Sequence, residues 1–244
     1  MGKQSTKLIC LLLMLALVIS MAACGSKGSG TAPSSGGSST VAETAPAAET
    51  SAGPEETDTA EPESGSSGGA GVLVVYFSRT GEQYTVGVID KGNTAIVAGM
   101  IAEETGADLF EIVPADDHYP MTYSELTDVA KKEQNDSARP AYAGEAPDLS
   151  GYDTIFIGAP VWWGDWPMIM YTFFEENAED LAGKNLVPFS THEGSGLSGF
   201  DKKLSKACPD SAVLTGLAVR GNGCQNRQDS VRTAVNDWLA GLEY

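Results

Sequence analysis

The sequence predicts an α/β three-layer fold with a five-stranded parallel sheet. Two observations in residues 71–244 predict this fold. First, five short apolar runs alternate with segments of helical character, which is typical of a parallel sheet covered by helices. Second, the runs are continuous rather than interspersed with polar residues, as in strands buried on both faces. Right-handed crossovers then place the carboxyl ends of all strands at one edge of the sheet.

Each predicted strand is rich in apolar or β-branched residues and is bounded by turn-forming residues. The predicted strands are residues 72–77, 107–114, 154–160, 184–191 and 212–220. The third is entered from a turn-like Leu-Ser-Gly-Tyr-Asp sequence. The fifth contains Gly216, where we expect an interruption, because glycine weakens the interior of a strand.

A helical segment is predicted after each strand. The predicted helices are residues 93–106, 122–138, 167–177, 199–208 and 226–242. In the first helix, Asn93 is a favoured N-cap residue, and Gly106 suits the left-handed conformation that ends a helix. In the third, Pro167 is expected at the first helical position. Residues 82–92 lengthen the first connection and are expected to form a small hairpin that turns at residues 91–92.

Residues 1–23 have the three parts of a secretory signal. Lys3 and Lys7 provide a positive start, a short apolar run follows, and small residues precede Cys24. This order is similar to a bacterial lipoprotein signal, which implies that Cys24 becomes a lipidated N-terminus. Ordinary secretion with an incidental cysteine and an uncleaved anchor are the alternatives. We therefore expect an extracytoplasmic domain, lipid-anchored to the cell membrane.

Residues 24–70 are expected to form a disordered tether between this signal and the domain at residues 71–244. They consist mainly of Gly, Ser, Thr, Ala, Pro and Glu. Such a composition cannot bury enough apolar surface to offset the chain entropy lost on folding. A flexible chain of this length would reach about 40 Å, which is enough to hold a domain clear of a membrane surface.

The domain is strongly acidic. The whole chain contains 15 basic and 33 acidic residues. Without the three lysines and seven carboxylates of residues 1–70, 12 basic and 26 acidic residues remain, a net charge of −14. This charge argues against binding of nucleic acid or anionic lipid headgroups and suits docking to a basic partner. Simple solubility explains the charge equally well.

The domain contains two cysteines, Cys208 and Cys224. Export permits a disulfide, but the predicted strand between them spans about 26 Å, and a disulfide needs Cα atoms within about 7 Å. We therefore predict that the two cysteines are not bonded to each other. They are not spaced as zinc ligands, and no metal site is predicted.

The first loop at the carboxyl edge and the helix after it have phosphate-binding character. Hydroxyl groups, a glycine and exposed backbone N–H groups can wrap a phosphate, and the start of a helix favours an anion. An ordinary serine–threonine turn before a capped helix is the alternative. The candidate residues are Ser78, Arg79, Thr80 and Gly81 after the strand, and Asn93, Thr94 and Ala95 at the helix start.

The loop after the third strand contains Trp162, Trp163 and Trp166. Tryptophan clusters usually belong to a core, but a loop beyond a strand end has no core of its own to fill. Exposure of so much aromatic area is costly unless something flat covers it. We therefore expect a planar ligand to lie on this loop.

The loop after the fourth strand contains Gly194, Gly196 and Gly199 in the spacing G-x-G-x-x-G. A dinucleotide fingerprint of this form belongs after a first strand and requires an acidic residue about 20 positions on, which is missing here. We expect the glycines to permit close backbone approach to a flat ring, and Gly199 to start the next helix. His192 and Glu193 are adjacent in the sequence, and adjacent side chains rarely face each other, so no catalytic dyad is predicted.

In this order, the segments YFSRTG, GNTA, PVWWG and THEGSG resemble the flavodoxin family, and more narrowly bacterial flavodoxin-like proteins with a split first loop. The resemblance implies strand order 2-1-3-4-5, with FMN at the sheet edge. It implies phosphate ligands at Ser78, Thr80, Asn93, Thr94 and Ala95, with Arg79 and Gly81 beside them. It implies one ring wall from Pro160, Val161, Trp162, Trp163 and Gly164, and a loop beside the far side of the ring from Thr191, His192, Glu193, Gly194, Ser195 and Gly196. The insertion at residues 82–92 departs from short-chain flavodoxins.

The favoured hypothesis is an FMN-dependent electron carrier that is tethered outside the cytoplasm and docks a redox partner protein on an acidic flavin edge. A quinone or azo reductase of the same fold, with a nicotinamide donor, is the second hypothesis. A binding lipoprotein that kept the fold and lost the cofactor is the third.

Overall fold

The computed structural model describes residues 71–243. The predicted signal, Cys24 and the predicted tether lie outside these residues. The strands are β1 (Gly71–Tyr76), β2 (Gly81–Gln83), β3 (Gly87–Ile89), β4 (Asp108–Glu111), β5 (Tyr152–Pro160), β6 (Asn185–His192), β7 (Ala212–Val213) and β8 (Leu217–Arg220). The helices are α1 (Asn93–Thr105), α2 (Tyr123–Asp136), α3 (Met168–Glu176), α4 (Ala178–Leu181), α5 (Phe200–Ala207), α6 (Gly221–Asn226) and α7 (Gln228–Ala240).

The central sheet is parallel and has the order β4-β1-β5-β6, with β7 and β8 both paired to β6. If β7 and β8 are counted as one interrupted strand, the order is 2-1-3-4-5, and the predicted fold class is confirmed. The interruption includes Gly216, as predicted. Pro188 of β6 lies opposite and has no N–H to donate to a neighbouring strand. A Cβ on Gly216 would lie 2.7 Å from the carbonyl oxygen of Pro188, so this close approach needs glycine.

Side chains of β1 alternate between two cores, one on each face of the sheet. Leu73 and Val75 face a core formed with α2, α3, α4 and α5. Val74 and Tyr76 face a core formed with α1, α6 and α7. Because both faces are covered by helices, the strands read as continuous apolar runs. This arrangement confirms the three-layer architecture.

Trp166 belongs to the first of these cores, and its predicted place in a ligand-facing surface loop is wrong. It is fully buried, and its ring stacks on Phe200 with 3.6 Å between the ring centroids. The reason is a tight turn, in which Trp162 and Asp165 exchange two backbone hydrogen bonds. The turn sends the chain back over the sheet before Trp166 is reached.

The inserted segment forms the β2–β3 hairpin, but its turn is not at residues 91–92. The pairs Gly81 with Ile89 and Gln83 with Gly87 leave residues 84–86 as the loop of the hairpin. Thr85, in the middle of this loop, has a φ of 60°, and Gly87 directly after the loop has a φ of 92°. Gly92 instead ends the connection, directly before α1.

The ends of α1, α2, α3, α5 and α7 agree with the predictions to within two residues. Gly106 ends α1 in the left-handed conformation, with a φ of 69°, as predicted. Pro167 is the N-cap of α3 rather than its first helical residue. No helix within residues 71–243 is long and apolar enough to cross a membrane.

Cys208 and Cys224 are not bonded to each other, as predicted, and both are buried. Burial raises the pKa of the Cys208 thiol to about 11 and that of Cys224 to about 12. Neither thiol is therefore ionised at neutral pH.

Candidate functional site

A cleft of about 490 Å³ opens at the carboxyl edge of the sheet. Of the predicted site residues, Asn93, residues 160–163 and residues 191–195 line it. The other predicted residues, namely residues 78–81, residues 94–95, Gly164 and Gly196, do not. The structure therefore brings the two predicted ring loops together in one cleft, with the start of α1 at its edge.

The loop after β1 caps helix α1 across the inserted hairpin. Ser78 Oγ accepts a hydrogen bond from the N–H of Ala95, with 3.1 Å between the atoms. The N-cap position is Gly92, not Asn93, and a Cβ on Gly92 would overlap Ser78 Oγ. A larger residue at this position would push the two halves of the split loop apart.

Unused donors remain where these two halves meet. The N–H groups of Asn93 and Thr94 have no acceptor among residues 71–243, and neither has the hydroxyl hydrogen of Ser78. Free N–H groups at a helix start carry partial positive charge. This end of the site is therefore built for an acceptor, and an anion suits it best.

Asn93 and Thr94 join the start of α1 to other elements of the site. Asn93 Oδ1 accepts a hydrogen bond of 2.8 Å from Gln225 Nε2 on α6, because its side chain is not used as a cap. Thr94 Oγ1 lies 2.8 Å from Thr191 Oγ1 of β6, and the pair is buried. These contacts fix the start of α1 relative to the cleft.

Arg79 directs the Nη atoms of its guanidinium group to residues 117–121. Its Nη1 binds both carboxylate oxygens of Asp117, at 2.7 and 2.9 Å, and its Nη2 donates to the carbonyl oxygen of Tyr119. Its Nε is buried and has no partner among the described residues. The Arg79 side chain thus ties the loop after β1 to residues 117–121.

A polar network continues from there to helix α2. Buried Glu133 accepts hydrogen bonds from the Tyr119 hydroxyl at 3.1 Å and from His118 Nε2 at 2.8 Å. The bond to Glu133 raises the pKa of His118 above its usual value. His118 therefore binds a structural carboxylate, and it does not line the cleft.

Trp162 and Trp163 form one wall of the cleft in different ways. Trp162 is half-buried and packs edge-on against Phe77, with 5.4 Å between the ring centroids. Trp163 is 53% exposed, and its indole N–H donates to the carbonyl oxygen of Thr127. Its φ is 50°, in the left-handed region that costs a bulky residue about 1–3 kcal/mol. Such strain beside a cleft points to a functional role for Trp163.

The glycines of the G-x-G-x-x-G segment all have positive φ angles: 149° at Gly194, 63° at Gly196 and 71° at Gly199. A Cβ on any of them would meet no protein atom within 4 Å. Backbone conformation, rather than close packing within the protein, therefore explains glycine here. Gly199 is the N-cap of α5, as predicted.

His192 is held in one neutral tautomer at the cleft. Its Nδ1 accepts the N–H of Gly194 at 2.9 Å, so the proton of neutral His192 is on Nε2. Burial, followed by the charge of Arg220, lowers the pKa of His192 below its usual value. At neutral pH, His192 is therefore an uncharged donor.

Glu193 is engaged by the start of helix α6 rather than by His192. Its Oε1 accepts the N–H of Asn222 at 2.6 Å, and Gly221 of the same segment also lines the cleft. The carboxylate thus has one oxygen committed to the backbone and one left for a ligand. No hydrogen bond joins Glu193 to His192.

A second wall of the cleft was missed by the sequence analysis. It consists of Gln83, Tyr84, Tyr123, Leu126, Thr127 and Ala130. The four residues from α2 recur at helical spacing and form a single face of the helix. Tyr84 comes from the hairpin and packs on Tyr123, with 5.4 Å between the ring centroids. The helical spacing of these four residues is visible in the sequence. A helix face that packs in the core has the same spacing, so the spacing alone does not indicate a cleft.

A family model described as Flavodoxin matches residues 71–239. No curated protein matches the chain significantly. A protein from Bacteroides uniformis that is assigned as a flavoprotein is 30% identical, and the match covers 70% of this chain and 99% of that one, with a TM-score of 0.54.

Two further solved structures are similar. A protein from Bacteroides eggerthii that is also assigned as a flavoprotein is 29% identical to this chain. The match covers 70% of this chain and 97% of that one, with a TM-score of 0.55. A flavoprotein from Lactobacillus acidophilus, solved in complex with FMN, is 19% identical to this chain. The match covers 66% of this chain and 99% of that one, with a TM-score of 0.50. At that identity, the last match supports the fold alone.

Proposed function

This chain belongs to the flavodoxin family, and we propose that it binds FMN at the carboxyl edge of its sheet and carries electrons to or from a partner protein. The observation that carries the proposal is the junction of an anion-binding loop with an aromatic cleft. FMN has the matching parts, namely a phosphate and a flat ring. When bound, it supplies transfer of one or two electrons.

The residues at the start of α1 fit the phosphate of FMN. Ser78 and the N–H groups of Asn93 and Thr94 offer donors that have no acceptor among the described residues. Arg79 Nε is a further buried donor without a partner there. Thr80 is exposed in the same loop. An added anion could satisfy donors of this kind, and a helix start stabilises it.

The cleft fits the flat ring of FMN. Trp162 and Trp163 supply aromatic area on one wall, and Tyr84 and Tyr123 supply it on another. Aromatic faces bind flat conjugated rings well and also exclude water from them. The volume of about 490 Å³ lies within the range of pockets that hold one small organic ligand, about 300–1,000 Å³.

The polar edge of the cleft comes from the loop after β6. His192 offers an uncharged Nε2–H, and Glu193 offers one free carboxylate oxygen. The N–H of Gly194 fixes the orientation of the His192 ring, and the N–H of Asn222 fixes that of the Glu193 carboxylate. We infer that these groups orient the ring and influence its redox potential through hydrogen bonds and charge.

Membrane attachment is part of the same proposal and rests on the sequence of residues 1–70 alone. A lipid on Cys24 would hold the chain outside the cytoplasm, with residues 25–70 as the spacer. The redox partner would then be an extracytoplasmic or membrane protein. The net charge of −14 on residues 71–244 supports a partner with a basic surface.

The visible absorbance of the purified protein tests FMN binding. We expect a yellow protein, or a colourless one that binds added FMN in a 1:1 ratio. A protein that takes up no FMN contradicts the proposal and favours a binding lipoprotein without cofactor. Rapid turnover of NADH or NADPH with a quinone would favour the reductase over the electron carrier.

A further inference from the structure

We propose that Gln225 of helix α6 is a positioning residue for the second half of the split first loop, residues 91–94. The preference of the site for a phosphorylated flavin over an unphosphorylated one then depends on Gln225. The inference rests on the proposed function and deepens it. Gln225 does not line the cleft, so it acts through residues 91–94 and not by contact with the ligand.

The side-chain amide of Gln225 bridges two oxygen atoms of this segment. Its Nε2 donates to the backbone carbonyl oxygen of Lys91 at 2.9 Å and to Asn93 Oδ1 at 2.8 Å. A side-chain NH₂ group has two N–H donors, so both are used. The carbonyl oxygen of Lys91 accepts no other hydrogen bond from residues 71–243. Gln225 is therefore what fixes the direction of this carbonyl group.

The bond to Lys91 also fixes the direction of the next N–H group. A trans peptide unit is planar, and its C=O and N–H groups point in opposite directions. Because Gln225 holds the carbonyl oxygen of Lys91, the N–H of Gly92 points away from Gln225. That N–H has no acceptor in the part of the chain that the structure describes. The bridge thus presents the Gly92 N–H as a free donor.

Three successive residues of the segment carry free N–H groups. Besides the N–H of Gly92, those of Asn93 and Thr94 lack an acceptor within residues 71–243. The latter two belong to the first turn of α1, where a helix leaves its N–H groups unsatisfied. Successive backbone N–H groups at a turn form concavities that bind anions. Gln225 adds a donor to this set by holding the peptide unit before the helix.

The inserted hairpin explains why the segment needs an anchor from another element. Residues 82–90 separate it from β1, so the strand does not position it directly. On one side, a Cβ on Gly92 would lie 2.8 Å from the carbonyl oxygen of Arg79, so the segment packs closely on the first half of the loop. On the other side lies Gln225. Without its bond, rotation of the peptide unit between Lys91 and Gly92 would turn the Gly92 N–H away from an anion.

Helix α6 is held firmly enough to serve as this anchor. Cys224, directly before Gln225, is fully buried in the core formed with α1 and α7. At the other end of α6, a Cβ on Gly221 would lie 2.4 Å from Asn93 Nδ2, so the helix approaches the segment closely. The free N–H groups are therefore ordered before a ligand binds, which lowers the entropy lost on binding.

The affinities of the full chain for FMN and for riboflavin test the role of Gln225, because only FMN carries a phosphate. In Gln225→Met, a side chain of similar length fills the same space but donates no hydrogen bond. We expect the dissociation constant of FMN to rise about tenfold, while that of riboflavin keeps its wild-type value. Fluorescence titration measures both constants. Gln228→Met is the matched control, because Gln228 is an exposed glutamine at the start of α7, and it should change neither constant.

Inorganic phosphate gives a second readout that needs no flavin. In NMR spectra of the isotope-labelled wild type, added phosphate should shift the backbone amide resonances of Gly92, Asn93 and Thr94. In Gln225→Met, the phosphate concentration at half of the full shift should be about tenfold higher. If phosphate gives these results but FMN does not bind, the proposed function fails and the role of Gln225 stands.

Equal preference of Gln225→Met and wild type for FMN over riboflavin overturns the proposal. Equal weakening of both flavins also overturns it, since Gln225 would then support the fold in general and not the phosphate end. The absence of phosphate-induced shifts at residues 92–94 of the wild type, or equal phosphate affinity of variant and wild type, has the same consequence. Should Gln225→Met fail to fold, Gln225→Asn keeps the amide but is one methylene too short to bridge both oxygens. An unchanged preference for FMN in that variant overturns the proposal as well.

Discussion

Thr94 and Thr191 share a buried hydrogen bond, with 2.8 Å between their hydroxyl oxygens, although they are 97 positions apart in the chain. One residue belongs to the start of α1, and the other is the last residue but one of β6. The bond therefore joins the start of α1 to the strand that leads into the polar edge of the cleft.

A double-mutant cycle on this pair should reveal strong coupling. Thr94→Val and Thr191→Val each leave one buried hydroxyl without a partner, which costs about 1–3 kcal/mol. The double variant removes both hydroxyls, so we expect it to lose less stability than the sum of the single variants. Urea denaturation of the FMN-free protein measures the free energies of unfolding. Strict additivity would show that the hydrogen bond does not form in solution.

Ser78→Ala should weaken binding of FMN more than binding of riboflavin, which lacks the phosphate. The variant loses a hydroxyl donor to a charged group, so we expect FMN affinity to fall about tenfold or more. Fluorescence titration with each flavin gives both dissociation constants. Ser205→Ala, at an exposed position of α5, is the control. Equal weakening of both flavins would contradict a role for Ser78 at the phosphate.

Two substitutions of Trp163 separate its strain from its contact with the ring. Both Trp163→Gly and Trp163→Ala remove the aromatic face and should weaken FMN binding. Only glycine accepts a φ of 50° without strain, so the glycine variant should be more stable than the alanine variant by about 1 kcal/mol. Thermal unfolding of the FMN-free variants measures this difference. An alanine variant as stable as the glycine variant would argue against the left-handed conformation.

Stability should depend on pH through His118 and Glu133. The hydrogen bond to Glu133 raises the pKa of His118 in the folded state above 6.5, its ordinary value. The folded state therefore binds the proton more tightly, so the stabilisation is complete below about pH 6.5 and is lost as the pH rises through the folded pKa. We compare free energies of unfolding of wild type and His118→Asn from about pH 5 to about pH 9. A difference that stays constant with pH would contradict this pairing.

Cys24→Ser tests the membrane anchor in the full chain. If Cys24 carries a lipid, the wild type should fractionate with membranes and incorporate labelled palmitate in a bacterial host. The variant should lose the label, because serine cannot form the thioether to the lipid. Cys208→Ser, at a buried position of the domain, is the control and should keep the label. Labelling of the Cys24→Ser variant would contradict the proposed attachment.

The sheet could be predicted from the sequence because its signals are local. Continuous apolar runs such as that of β5 need helices on both faces, and Gly216 correctly marked the break between β7 and β8. The order of the strands came from the resemblance to a known family. Patterns of hydrophobicity alone leave several orders possible.

Side-chain partners were harder to predict, because they depend on distant parts of the chain. Asn93 resembles an N-cap, yet Ser78 already satisfies the N–H of Ala95, and Asn93 binds Gln225 instead. Trp166 follows two tryptophans that line the cleft, but the turn at Gly164 returns it to the core. In both cases a contact from another element overrides the local preference.

The β2–β3 hairpin is a segment that can be replaced without changing the loop after β1. Gly92 packs against Ser78 and Arg79, so the two ends of the insertion are held together whatever lies between them. The entropy of closing a loop grows slowly with its length, which makes replacement of residues 82–90 tolerable. A protein engineer could therefore transplant a different hairpin into this position and change the wall of the cleft formed by Gln83 and Tyr84 while the first loop stays intact.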